Sequence, residues 1–188
     1  MVIGLAFFGQ GLYMSAKAQL AYLLLDLAWE KTLNSGDIQN PWPWMDAHPV
    51  AKISFPSQDK SFVVLNSDSG QALAFGPGLI AGLEKDHGTI GIAAHKNTHF
   101  GHLDRLRIDD VITLDTQEGQ KAFKVTEMQV MDSRVSWLPI WQTNGSHNLL
   151  LVTCYPFDQL SFNGPLRYVV RAEPIKIKRL LTTKSNPT

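Results

Sequence analysis

This chain of 188 residues has a single cysteine, Cys154, and no excess of charge of either sign. One cysteine excludes an internal disulfide, so the fold must be held by its apolar core. The 17 basic and 17 acidic residues cancel, which leaves no electrostatic case for binding a nucleic acid. No internal repeat is visible, and 44% of the residues are hydrophobic. The composition therefore indicates one domain with a substantial core.

No apolar run reaches the roughly 20 residues that an α-helix needs to span a bilayer. The longest candidate is the first segment, residues 1–14, which is apolar except for Gln10. This segment could be a short membrane anchor, a cleaved signal peptide or a buried helix.

The one cysteine stands at the end of a strand-like run, Asn148–Cys154, and a proline follows two residues later. Proline stops regular strand pairing, so the thiol lies where a strand meets a loop, a common place for functional groups. Two other apolar runs carry an ionisable group near one end. His95 ends the run that starts at Thr89, and Arg167 lies near the start of the run that includes Val170. The alternative is that Cys154 is simply a small buried side chain.

These three runs match one family: the chain resembles a sortase, a cysteine transpeptidase of the cell envelope. Residues 93–95 resemble the family's Ala-Gly-His segment, 150–154 its Thr-Leu-x-Thr-Cys signature and 167–170 its arginine strand. The similarity runs from about Ile53 to Ala172, and Leu150, Ala94 and Asp109 depart from the usual residues. The Gly-Pro-Gly stretch at 76–78 and the Cys-Tyr-Pro-Phe sequence at 154–157 resemble the class D, class E and Gram-negative branches.

The resemblance implies three catalytic roles. Cys154 would be the nucleophile, acting as a thiolate that nearby positive charge stabilises. His95 would act as general acid and then general base, and Arg167 would stabilise the oxyanion. Arg171 competes with Arg167, because residues four apart share a strand face, but Arg167 stands at the strand start, closer to Cys154.

Several other residues are predicted to contact the substrate. Thr153 and Tyr155 stand on either side of Cys154, and Ala94 precedes His95. The loop from Asp132 to Gly145 carries apolar side chains that could form a groove wall, or could instead fold over the core: Val135, Trp137, Leu138 and Trp141.

A metal site is an alternative use of the histidines. His95, His99 and His102 stand at spacings of four and three, and Cys154 could complete a zinc site. The segment from Lys96 to Gly101 is, however, typical of an irregular loop rather than a helix with a fixed ligand face. We therefore predict no metal and no cofactor.

The predicted fold class is all-β, an eight-stranded sortase-type β-barrel with short helices, preceded by an N-terminal helix. The predicted segments are a membrane anchor at 1–16, an amphipathic helix with a Pro/Trp-rich linker at 17–49, the barrel at 50–183 and a disordered tail at 184–188. The predicted strands are 50–55, 62–65, 71–75, 89–95, 111–114, 122–131, 148–154 and 166–175, with a short helix at 78–84.

The resemblance also implies a function. The protein would be a sortase transpeptidase on the extracytoplasmic side of the cell membrane, held by one N-terminal span. It would cleave a C-terminal sorting signal of the Leu-Pro-x-Thr-Gly type through a thioester on Cys154 and pass the acyl group to an amine. The sequence does not specify this amine. A cysteine hydrolase and a non-catalytic peptide-binding barrel remain alternatives.

Overall fold

The computed structural model describes residues 2–83, 88–135, 148–158 and 164–176. A long helix, α1 (Val2–Ser35), is followed by a strand-rich domain with one further short helix, α2 (Gly70–Leu73), and two 3-10 turns, Pro56–Gln58 and Leu103–Arg105. The strands in this described part are β1 (Pro49–Phe55), β2 (Lys60–Leu65), β3 (Gly78–Ala81), β4 (Ile90–Ala93), β5 (Val111–Thr116), β6 (Gly119–Asp132), β7 (Leu149–Cys154) and β8 (Leu166–Ile175).

The eight strands form a closed barrel in the order β1-β2-β3-β4-β7-β8-β6-β5, and β5 pairs with β1 to close it. Two neighbouring pairs are parallel, β2 with β3 and β4 with β7, and the other pairs are antiparallel. The predicted all-β, eight-stranded barrel behind an N-terminal helix is confirmed.

Alternating side chains fill the barrel interior, as the two-residue period of a strand requires. In β1, for example, Ala51, Ile53 and Phe55 are fully buried, whereas the residues between them are partly exposed. One apolar cluster joins the inner faces of seven strands, and its largest fully buried members are Phe55, Phe100, Phe123, Ile53, Ile90, Ile92, Leu103, Ile112, Leu114 and Leu149.

Two local predictions between β2 and β4 were wrong. The run 71–75, predicted as a strand, overlaps helix α2 instead. The Ser69 hydroxyl accepts a hydrogen bond from the Ala72 amide and so caps a helical turn. The segment 78–84 was predicted to be a short helix, but its first four residues form strand β3. There Gly78 pairs with Leu65, and the Leu65 amide donates to the Pro77 carbonyl. A local helix cap set the conformation of the first run, and tertiary strand pairing set that of the second.

The C-terminal half of α1 packs against the barrel. Two of its buried side chains, Leu25 and Trp29, are four residues apart and join a second apolar cluster with Met45, Ala47 and Leu65. On the same helix, the Asp26 carboxylate accepts a hydrogen bond of 2.8 Å from Nζ of Lys52 on β1. Helix α1 is therefore attached to the outside of β1 and β2.

Helix α1 runs without a break through the segments predicted as an anchor and an amphipathic helix. Within the described residues, we find no helix with a stretch long and apolar enough to cross a membrane. The anchor at residues 1–16 and the disordered tail at 184–188, which lies outside the described residues, stay predictions.

We expect Trp29→Ala to destabilise the protein by about 3 kcal/mol, because it removes the largest side chain between α1 and the barrel. Leu23→Ala is the control. Leu23 lies on the same helix but is 56% exposed, so its loss should cost no more than about 0.5 kcal/mol. Urea denaturation measures both values, and equal changes in the two variants would show that α1 does not pack against the barrel in solution.

Candidate active site

Three neighbouring strands place their ends together at one rim of the barrel. β7 lies in the middle, parallel to β4 on one side and antiparallel to β8 on the other. Ala93, the last residue of β4, pairs with Val152, and Cys154, the last residue of β7, pairs with Arg167 near the start of β8. The three strands that carry the predicted catalytic residues are therefore adjacent.

Cys154 and Arg167 face each other across β7 and β8. The Tyr155 amide donates to the Leu166 carbonyl at 3.0 Å, so those two residues form a hydrogen-bonded pair. Pairs alternate along an antiparallel ladder, which makes Cys154 and Arg167 a non-hydrogen-bonded pair, with Cα atoms about 4.5 Å apart. Directly opposed side chains share one sheet face. The side chains of Cys154, which is partly exposed, and Arg167 therefore leave the backbone next to each other on the same sheet face.

His95 lies next to this pair because the hydrogen bonds between β4 and β7 continue one residue past the end of β4. The Ala94 amide donates to the Val152 carbonyl at 3.2 Å, and the Thr153 hydroxyl donates to the Ala94 carbonyl at 2.7 Å. Ile92 and Ala94 pack into the barrel core and Ala93 packs outside it. Strand alternation then directs His95 outward, alongside Cys154, and its side chain is exposed.

The guanidinium of Arg167 is held at the entrance to β8. Its Nη1 donates to the carbonyls of Gly164, at 2.6 Å, and Leu166, at 2.9 Å. These bonds use one nitrogen of a group that carries five N–H donors in a planar fork. The group is thus oriented while other donors can point toward a ligand.

Arg171 lies further along β8 and has a different neighbourhood. It pairs with Leu150 on β7 and with Glu127 on β6, and its Nε is 3.6 Å from a Glu127 carboxylate oxygen. Four residues of strand separate it from Arg167, which corresponds to about 13 Å. The structure places Arg167, and not Arg171, beside Cys154.

Comparison with known proteins identifies the family. A model of the Sortase domain matches residues 53–175, which include all three catalytic candidates. The chain belongs to the sortase family. No curated protein sequence matches it at a significant level.

Solved sortase structures share the fold of this sortase. The pilus-related Sortase C of Group B Streptococcus superposes with a TM-score of 0.60 at 20% identity, over 69% of each chain. Sortase A from Corynebacterium diphtheriae gives 0.62 at 19% identity, over 73% of this chain and 65% of that one. A Clostridium perfringens Sortase D5 transpeptidase gives 0.66 at 19% identity, over 84% of this chain and 99% of that one. The class D or E assignment stays a prediction.

The sortase barrel also carries an apolar cluster on its outer face next to Cys154. Leu150, Val152 and Val169 point outward from β7 and β8, yet each is at most 5% exposed. Ile80, Ala93 and Met131 pack against them. Sequence reasoning missed this outer cluster. The signal was present, because the run Leu149–Val152 is apolar at every position, as expected for a strand covered on both faces.

The residues predicted to contact the substrate differ in exposure. Thr153 and Ala94 are buried, and their hydrogen bond joins β7 to the end of β4. Tyr155 is partly exposed and stacks on Tyr168 at 6.3 Å between ring centroids. Contact between these three residues and a substrate stays a prediction. Trp137, Leu138 and Trp141 lie outside the described residues.

The other two histidines of the proposed metal set, His99 and His102, are buried against aromatic rings. His99 contacts Phe62 edge-on at 5.4 Å, and His102 stacks on Phe62 at 5.7 Å and contacts Phe55 at 4.6 Å. Among the residues that the structure describes, no group of three or more potential ligands is arranged to hold a metal ion. The arrangement of these two rings gives the zinc alternative no support.

Burial lowers the pKa of both His99 and His102 from 6.5 to about 4. Positive charge nearby lowers each pKa further, from His95 for His99 and mainly from Lys60 for His102. The Phe75 carbonyl opposes the shift at His99, although the His99 Nε2 atom reaches no partner at hydrogen-bond geometry. Both rings are therefore neutral at pH 7.

A cavity of about 390 Å³ lies between α1, β2 and the segment after His95. Its wall includes Tyr22, Asp26, Phe62, Phe75 and His99. Neither Cys154 nor Arg167 lines this cavity. It is separate from the site at the strand ends.

Acid should destabilise this sortase through the two buried histidines. A histidine in the unfolded chain has a pKa near 6.5, whereas the buried rings have a pKa of about 4. Between these two values the unfolded state binds more protons than the folded state, so the free energy of unfolding falls as pH drops below about 6.5. At about pH 5 the expected loss is on the order of 2 kcal/mol per ring. Urea unfolding at pH 7 and pH 5 measures it. His102→Phe should reduce the loss by about half, and an unchanged pH dependence in this variant would refute the explanation.

Proposed function

We propose that this sortase cleaves a C-terminal sorting signal through an acyl-enzyme on Cys154 and transfers the acyl group to an amine. The observation that carries the proposal is the pairing of Cys154 with Arg167, with His95 two residues beyond the end of the neighbouring strand β4. A nucleophile, an acid–base group and a fixed cation on one face are the parts that acyl transfer requires.

In the first half-reaction, the Cys154 thiolate attacks the carbonyl carbon of the scissile peptide bond. The C–N bond then breaks, His95 gives its proton to the leaving amine, and the acyl group remains on sulfur as a thioester. In the second half-reaction, His95 takes a proton from an incoming amine. That amine attacks the thioester, the C–S bond breaks and the thiolate is restored.

Arg167 serves as the electrostatic partner of both steps. The negative charge of each tetrahedral intermediate develops on the former carbonyl oxygen, next to the sulfur. The guanidinium starts from the residue directly opposite Cys154, and its bonds to Gly164 and Leu166 hold it there before substrate arrives. Such preorganised donors cost little reorganisation during the reaction.

The partly exposed members of the outer apolar cluster, Ala93 and Met131, offer apolar surface to a signal peptide near Cys154, whereas Val152 and Val169 are buried. Val152 and Val169 point to the same outer side as Cys154 and Arg167, and Met131 pairs with Arg167 from β6. Apolar side chains beside a few polar groups are typical of a peptide-binding groove. By resemblance to the family, the signal is of the Leu-Pro-x-Thr-Gly type and is cut after threonine. The enzyme would act outside the cytoplasmic membrane, held by residues 1–16.

Arg167→Ala should lower the rate of acyl-enzyme formation at least about 100-fold, because it removes the charge that stabilises the oxyanion. Arg171→Ala is the matched control, one arginine further along β8, and should change the rate less than about threefold. Cys154→Ala should form no acyl-enzyme. Stopped reactions analysed by intact mass give the rates, and a larger loss in Arg171→Ala than in Arg167→Ala would contradict the assignment.

The proposed transpeptidation is tested with a peptide that contains Leu-Pro-Glu-Thr-Gly and an amine such as triglycine, with a scrambled peptide as control. We expect a transient mass adduct on Cys154 that hydroxylamine removes, followed by a peptide–amine product. Release of only the free acid would favour the hydrolase alternative. Failure of every sorting peptide to acylate Cys154 would favour a non-catalytic binding barrel.

A further inference from the structure

Lys96, the residue after His95, is a buried lysine. Its side chain is only 6% exposed, although lysine is almost never buried without a partner. Its Nζ donates a hydrogen bond of 2.5 Å to the backbone carbonyl of Pro156, two residues after Cys154. A charged donor makes this bond stronger than one between neutral groups. Lys96 thus connects the segment after the histidine to the segment after the cysteine.

Hydrogen bonds join the histidine segment to the cysteine segment on both sides of His95. On the near side, the Ala94 backbone is bonded to Val152 and Thr153, just before Cys154. On the far side, Lys96 is bonded to Pro156, just after Cys154. The residues enclosed between these contacts are His95 on one segment and Cys154 and Tyr155 on the other. Their backbones are therefore fixed relative to each other from both directions.

The loop that begins at Lys96 is itself held closely. The His95 carbonyl accepts hydrogen bonds from the amides of Thr98, at 3.4 Å, and Phe100, at 3.1 Å, and the Phe100 side chain is fully buried. A Cβ atom on Gly101 would lie 2.5 Å from the Lys96 carbonyl oxygen, so only glycine permits this close approach. The Lys96 backbone is therefore rigid, and its side chain transmits that rigidity to the end of β7.

We propose that Lys96 is a positioning residue, which holds His95 in reach of Cys154 through its hydrogen bond to Pro156. The proposal rests on the proposed function, in which His95 must exchange protons beside the sulfur. A misplacement of about 1 Å in such a group can cost about 100-fold in rate. Because Lys96 acts on the position of His95 and not on substrate binding, its loss should lower kcat and leave KM nearly unchanged.

The first test needs no substrate. Iodoacetamide alkylates Cys154, the single cysteine, and the alkylation rate is measured from pH 5 to pH 9 for the parent, His95→Ala, Lys96→Met, Lys96→Arg and Lys121→Met. If His95 interacts with the thiol, the parent profile contains a step that His95→Ala removes. We expect Lys96→Met to lose the same step. Lys96→Arg, which keeps a charged donor, and Lys121→Met, which removes a lysine from the surface of β6, should keep it.

Three outcomes would overturn the proposal. Identical profiles for the parent and His95→Ala would mean that there is no interaction for Lys96 to maintain. A parent-like profile for Lys96→Met would mean that the contact is dispensable. Unfolding of Lys96→Met at every temperature, followed by circular dichroism, would mean that the contact maintains the fold rather than one histidine.

The second test uses the sorting peptide. We expect Lys96→Met to lower kcat about 10- to 100-fold with KM within about twofold, and Lys96→Arg to restore most of the rate. A rise in KM with kcat unchanged would assign Lys96 to substrate binding and overturn the positioning role. If the parent transfers no acyl group at all, the proposed function fails, and the alkylation profiles still decide the inference about Lys96.

Discussion

The structure depends on one strand, β7, being paired on both edges and covered on both faces. β4 holds one edge in parallel and β8 holds the other in antiparallel register. The inner side chains, Leu149 and Leu151, pack in the barrel core, while Leu150 and Val152 pack in the outer cluster. A strand fixed in this way has a single register, because a slip by one residue would exchange its two faces. The position of Cys154 follows from that register.

The backbone and the side chains contribute differently to the site. Backbone pairing sets Cys154 opposite Arg167 and brings the end of β4 alongside. Side-chain bonds then act where pairing stops, through Thr153 to the Ala94 carbonyl, Lys96 to the Pro156 carbonyl and Arg167 to the Gly164 carbonyl. Each of these donors is satisfied by a main-chain oxygen near a strand end. The reactive groups can therefore be exposed to a substrate while the atoms that carry them are held by the barrel.

Sequence patterns predicted most of the strands but were wrong where an apolar run was short. Residues 71–75 and 78–81 have similar apolar content, and no local period separates a helical turn from a four-residue strand. The outcome was set by two specific contacts that apolar content does not reveal. Ser69 caps the helical turn at Ala72, and Gly78 pairs with the distant Leu65. Arg167 and Arg171 share a strand face, and the position of Arg167 at the strand start favoured it from the sequence. The register of β7 and β8 pairs Arg167 with Cys154.

The sequence by itself determined the barrel, the family and the chain order of the reactive residues, because alternation, the lone cysteine and the motif residues are all local properties. Only the tertiary structure decided what surrounds those residues. It packed His99 and His102 against aromatic rings, gathered the outer side chains of β7 and β8 into a buried apolar cluster, and buried Lys96 between the histidine and cysteine segments. These features join residues up to 60 positions apart, such as Lys96 and Pro156, and such contacts arise only when the barrel closes.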